Sequence, residues 1–184
     1  SWLAAYPGDL PVQLIHAQAS VKDLGKEQGL ALVERICLQD PAYTEAQQLR
    51  ATLGKDQSQS VLYLGELYAL MPGQRFFRQR EIRDALPAWS KSLAKIREKM
   101  IQDDVTGAAT LLPELLGANP NSSLVGATHL ELLLKDPETP ALAVRQLAEH
   151  YHEKYPDCLL PLIILGDSIL KGGLSSQGVS LIHK

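Results

Sequence analysis

Aromatic residues make up 5% of this 184-residue chain, with two phenylalanines and two tryptophans. Strand formers are not arranged to compensate: Val, Ile, Thr and Phe never alternate with polar residues over a convincing length, which removes a sandwich or barrel. There are two cysteines, Cys37 and Cys158, far apart and without metal-type spacing. Both fall on apolar helical positions, so they are read as buried thiols rather than a disulfide. The longest apolar run, Leu159–Leu165, is far short of the ~20 residues a spanning helix needs, and no signal peptide is recognisable. Also missing are a Gly-x-Ser-x-Gly elbow, a P-loop and an HExxH helix. A formal net charge of −3 gives no global case for nucleic acid or an anionic membrane. The first residue is not Met, and the last three, Ile182-His183-Lys184, fall inside an expected helix. The expectation is a piece of a larger protein, cytoplasmic, with any targeting signal outside it.

What is present is Leu and Ala, punctuated by Gly and Pro at intervals, and this reads as all-α. The stretch Leu24–Pro41 (LGKEQGLALVERICLQDP) is the pattern from which the rest is built. It opens on a break at Leu24-Gly25, carries a helix-period stripe of Leu30, Val33, Ile36 and Cys37, and closes on Asp40-Pro41. Proline stops a helix because it lacks an N–H and clashes with the preceding turn. Gly29 leaves room for a neighbouring helix. One such helix cannot bury its own apolar face, so it needs partners before and after it.

The same frame recurs as Ser60, Leu64, Leu67, Pro72, then as Ala108, Leu112, Leu115, Pro120. Val144, Ala148, Tyr151 and Pro156 repeat it with large and small exchanged, and Gly178 with Ile182 begins it again. This spacing resembles the second helix of a tetratricopeptide repeat. The frame prolines lie 31, 48 and 36 residues apart, against a family period of about 34. The 48 is read as one repeat plus an insertion at Gly73–Leu86. First-helix matches are fewer: Leu165-Gly166 with Ile169, and in part His16-Ala17. The resemblance implies a right-handed α-solenoid of antiparallel helix pairs, about five repeats, forming a single domain over residues 1–184. Its concave face would be lined by first helices, and an open last repeat would favour end-to-end association.

The expected helices are Leu10–Asp23 (Asp9 as cap, Pro11 in the first turn), the opening stretch, Thr44–Leu53 and Gln57–Met71. After the insertion come Ala88–Ile101, Val105–Leu116 (kinked or ended early by Pro113), Ser123–Leu134, Ala141–Tyr155 (capped by Thr139) and Leu159–Leu170. A last helix begins after Ser175. Leu159–Leu170 is so apolar that it should be covered on both sides. Trp2, Leu3 and Tyr6 are a lead-in that packs on the first repeat or on a preceding element.

Catalysis is not expected, and neither is a cofactor. His150 and His152 sit two apart on a helix, about 200° around the axis, so they form no chelating pair. The general expectation is a scaffold or adaptor that binds a peptide or partner domain in the groove. Its candidate residues are Gln13, His16, Ser20, Gln47, Arg50, Ser92, Lys95, Lys99 and Asp167. The carboxylate-clamping subset of the family has Lys and Asn at set positions; the first repeat here has no matching Asn, so capture of a free C-terminus is not expected. Alternatives are a spacer, or a regulatory or sensory segment of a signalling or transcriptional protein. Charge is uneven: Arg75–Lys99 holds eight basic and three acidic residues, Asp103–Asp157 three basic and nine acidic. Within the insertion Arg75, Arg78, Arg80 and Arg83 interleave with Phe76 and Phe77. They suit either an acidic protein segment or nucleic-acid contact, or else the aromatics pack the insertion down and leave the arginines solvated.

Overall fold

In a computed structural model, residues 8–119 and 121–171 are described, with side chains as far as Ser168. The described residues contain ten α-helices, one 3-10 turn and no strand. The helices are α1 (Leu10–Asp23), α2 (Lys26–Gln39), α3 (Thr44–Leu53), α4 (Gln57–Leu70), α5 (Arg80–Ala85), α6 (Ala88–Ile101), α7 (Val105–Ala118), α8 (Ser123–Lys135), α9 (Ala141–Lys154) and α10 (Leu159–Lys171). The expected insertion supplies the 3-10 turn Arg75–Arg78 and the short α5. The last expected helix, the frame positions Pro120, Gly178 and Ile182, and the lead-in Trp2, Leu3 and Tyr6 lie outside the described residues. The chain divides into two compact units at Ala94, within the run of α6.

Most of the described frame positions lie in the interior. Gly29, Val33 and Ile36 are buried, as are Ala108, Leu112 and Leu115, and Val144, Ala148 and Tyr151. Ser60 and Leu64 are half-buried beside a buried Leu67. The four frame helices end alike. Asp40, Met71, Asn119 and Tyr155 each precede a frame proline and each is the last cap, with φ between −138° and −131° and ψ between 60° and 95°. A following proline pushes its predecessor out of the helical region, which forces this geometry. Each cap N–H still donates to the carbonyl of the third frame residue, at 2.9, 2.9, 3.0 and 2.8 Å in chain order. One orphan carbonyl per helix end is thereby satisfied.

Helix starts follow the side chains. Asp9, Asp56, Asp104 and Ser122 each accept a backbone N–H three residues on, as N-caps do. Thr139 does not cap α9: its hydroxyl donates to Asp136, and Pro140 takes the N-cap position without a side-chain bond. Pro113 does not end α7, which continues to Ala118; as an exposed residue its ring reaches solvent, and the expected early stop is not observed.

In the first unit one core joins Leu14 and Ala17 of α1 to Leu30, Val33 and Ile36 of α2, with Ala46, Leu53 and Tyr63 of the next two helices. A smaller cluster of Leu67, Phe77 and Leu86 ties the insertion to α4. In the second unit Leu130, Val144, Ala148, Tyr151, Ile164 and Leu165 join α8, α9 and α10. Cys37 and Cys158 are both buried and neither is in a disulfide. Close approach depends on glycine at two places. A Cβ on Gly29 would stand 2.1 Å from Val21 Cγ2, and one on Gly126 would stand 2.9 Å from Tyr151 Cε1.

Two glycine replacements should therefore act in opposite directions. Gly→Ala in an exposed helix interior gains about 1 kcal/mol of propensity; Gly117 stands in the last turn of α7 with open space around it, so G117A should raise stability by a part of that. G29A should destabilise by about 1–3 kcal/mol, because Val21 is β-branched and stiff and the clash outweighs propensity. Urea unfolding of both variants checks this. A stabilised G29A would mean that α1 and α2 do not approach closely.

Candidate functional site

The basic insertion is held by its aromatics. Phe77 is 1% exposed, its ring edge-on to Tyr68 with centroids 5.0 Å apart. Phe76 packs against it at 3.9 Å, tilted by 36°. Arg75, Arg78, Arg80 and Arg83 are exposed. Arg80 pairs with Asp84 at 3.3 Å, an exposed i,i+4 contact worth a few tenths of a kcal/mol, about 0.3–0.5 at most. Arg75, Arg78 and Arg83 have no ion-pair partner among the described residues. A shallow cleft of about 510 Å³ lies at Arg75, Phe76 and Arg78.

The groove candidates of the first unit are drawn largely inward. Gln13 is half-buried and donates to Gln39 at 3.2 Å; Ser20 is buried. Gln47 is 1% exposed and donates to the Pro41 carbonyl at 2.8 Å. Arg50 lies beside it. Its guanidinium is bonded to Gln47 and Glu66, sits 4.4 Å from the Tyr63 ring centroid, and leaves Nε buried without a partner. Tyr63 in turn donates to Glu34 at 2.5 Å. Burial, with the Glu34 hydrogen bond, pushes the Tyr63 hydroxyl up to about 12. The network pins α2, α3 and α4 together. Sequence position brings Gln47 and Arg50 within one helical turn; packing turns both into the interior. Burial also pushes the Cys37 thiol up to about 11, so it stays protonated and a poor nucleophile. His16 and Ser92 are exposed.

In the second unit Lys95 is exposed. Lys99 is engaged by Asp104, whose carboxyl is held below its usual range by that hydrogen bond and by the Gly107 N–H. Asp103, the residue between α6 and Asp104, takes a left-handed φ of 58°, a conformation Asp tolerates better than most. Arg97 donates to Thr128 at 3.2 Å and Glu131 at 3.1 Å. His129 Nδ1 lies 3.1 Å from the Tyr151 hydroxyl, and burial holds the His129 ring below the usual histidine range. No group of three or more His, Cys, Asp or Glu among the described residues is placed to hold a metal ion. No described helix is long and apolar enough to cross a membrane.

An open apolar cleft of about 710 Å³ is bounded by the end of α8, the 136–140 turn, the start of α9 and one face of α10. Leu134, Leu142 and Ile163 line it and are 53%, 65% and 53% exposed. Its rim carries Asp136 and Asp167; Arg145, also on it, pairs with Glu149 at 2.9 Å. Among the groove candidates only Asp167 borders this cleft. The expectation that Leu159–Leu170 is covered on both sides fails at Ile163, which faces the cleft. The missed signal was in the sequence: Leu134 and Leu142 are apolar residues that the repeat frame does not need.

No protein-family model matches this chain, and no curated protein or solved structure matches it either.

Two outcomes test the electrostatics. Arg50→Ala strands Glu66, whose side chain is 16% exposed, and should cost about 3 kcal/mol, the scale for breaking a largely buried pair; denaturant unfolding measures it. A loss below ~0.5 kcal/mol, the scale of an exposed pair, would mean that the pair is solvated. For His129 the folded state favours the neutral ring and the unfolded chain takes the proton first. Its contribution is full above the unfolded pKa of about 6.5 and is lost as pH falls below it. The melting temperature should drop between pH 7.5 and 5, and more steeply in the natural chain than in His129→Gln. Equal slopes would remove His129 as the cause.

Proposed function

We propose that the chain is a tetratricopeptide-like helical-repeat module, with helix pairs stacked as a solenoid, that binds a peptide or partner domain without turnover. The repeated helix ends support the repeat reading: the same cap geometry and the same cap hydrogen bond recur at four frame prolines. The observation that carries the binding reading is the apolar cleft at α8, α9 and α10, where three exposed aliphatic side chains converge. Scattered exposed apolar residues are ordinary, whereas a contiguous patch marks an interaction surface.

A nucleic-acid role for the insertion has less behind it. Base stacking needs accessible aromatic faces, and Phe77 is buried with Phe76 packed against it. What the arginines offer is charge alone, suited to carboxylates or phosphates.

The test separates the two surfaces. The chain, L142E/I163E and R75E/R78E/R83E are each immobilised and exposed to lysate of the host cell, and retained proteins are identified. A specific partner kept by the arginine variant and lost from the cleft variant is the expected result. The opposite pattern would move function to the insertion. Equal capture by all three would remove both surfaces from the reading.

A further inference from the structure

We infer that the cleft of the second unit receives a short amphipathic helix whose apolar face is flanked by lysine or arginine. This rests on the interaction reading and adds the chemistry of the partner.

The apolar half of the argument is convergence. Leu134 comes from the end of α8, Leu142 from the first turn of α9 and Ile163 from the middle of α10. Each is more than half exposed, and the floor beneath them is made of Leu160 and Ile164. Three helices thus present surplus aliphatic groups to one space of about 710 Å³. The rim is open, whereas small-molecule sites typically bury ~70–90% of their ligand. An open, aliphatic trough between helices suits another helix laid into it, anchored at one-turn spacings.

The charged half fixes the flank. Among the described residues Asp136 and Asp167 are the acidic groups lining the cleft and Arg145 its one basic group; Asp136 also accepts from the Glu138 N–H and the Thr139 hydroxyl, and Arg145 pairs with Glu149. Beyond Ala94 the sequence has eight basic and eleven acidic residues, while residues 1–94 hold ten of each. The formal net charge of −3 therefore lies wholly in the unit that bears the cleft. A cationic partner is steered toward it and an anionic one is repelled. The same rim disfavours a second copy, because a two-fold contact sets a patch against itself and would oppose like charges.

The experiment uses fluorescence anisotropy at physiological salt with two labelled probes: a 14-residue amphipathic helix of about equal Leu and Lys, and its Leu/Glu counterpart, lengths in the usual range for a docked helix. The Leu/Lys probe should bind saturably, one per chain, and at least tenfold more tightly than the Leu/Glu probe. L142D should weaken it at least tenfold even though the substitution adds negative charge. Long-range attraction alone would make binding to L142D tighter, so a strengthened or unchanged affinity overturns the proposal. Circular dichroism and melting temperature confirm that L142D is folded; should it unfold, I163D is read in its place. Saturable, L142D-sensitive binding of the Leu/Glu probe would overturn the cationic partner while leaving the interaction reading intact. Binding of neither probe would overturn the proposal, while the interaction reading is decided separately by the capture experiment on the two surfaces. Sedimentation showing a dimer that L142D dissolves would make the occupant a second copy. A tenfold gain in probe affinity on changing both Leu181 and Ile182 to Ser would make it the chain's own end. Either result overturns the proposal.

Discussion

None of the described helices exceeds 14 residues, a length at which an isolated helix is marginal in water. Their stability therefore comes from the faces they bury in one another. That requirement explains the recurrent features of the chain. Small residues sit where helix axes must approach, as at Gly29 against Val21. Larger aliphatics one turn on fill the space between neighbours. A proline then ends each frame helix and sets its predecessor extended, so the next helix can turn back within a few residues. Burial and reversal are properties of the same repeated segment, which is why one pattern organises most of both units.

Polar groups follow the same economy of space. In the first unit Gln47, Arg50, Glu66, Tyr63 and Glu34 form one largely buried network that leaves only Arg50 Nε without a partner. A buried guanidinium must be paired or it destabilises, and here a carboxylate, an amide oxygen and an aromatic face share it. Such a network adds little net energy against an apolar filling, but it rejects any packing in which α3 slides against α2 or α4. The exposed pairs, such as Arg80 with Asp84 and Lys55 with Glu27, have no comparable consequence.

Helix positions were legible because their signals are local. Periodic apolar residues, Asp and Ser caps and pre-proline stops place most ends within one or two residues of where they lie. The misreadings occurred where a tertiary contact decides. Thr139 is a plausible cap in sequence, yet its hydroxyl is taken by Asp136. Leu159–Leu170 is apolar enough for burial all round, yet Ile163 faces open space. The groove candidates are polar residues on the expected first helices. Periodicity cannot say whether Gln47 and Arg50 point to solvent or to Pro41, Glu66 and Tyr63, since that depends on residues 6 to 16 positions away.

The cleft was hidden for a related reason. A repeat frame asks which positions are needed for burial, and Leu134, Leu142 and Ile163 are not among them. Once the core has been accounted for, the apolar residues left over become the informative ones. In the first unit the surplus among the described residues consists of Ile15, Leu24, Leu38 and Leu62, and none of them borders the cleft at the basic turn. In the second unit Leu134, Leu142 and Ile163, though not Ile101, come together beside two aspartates. Where packing explains a side chain, its identity says little about recognition. Where packing leaves several aliphatic side chains exposed in one place, the cost in water is not recovered by the fold, and on the proposed reading a partner's apolar face recovers it.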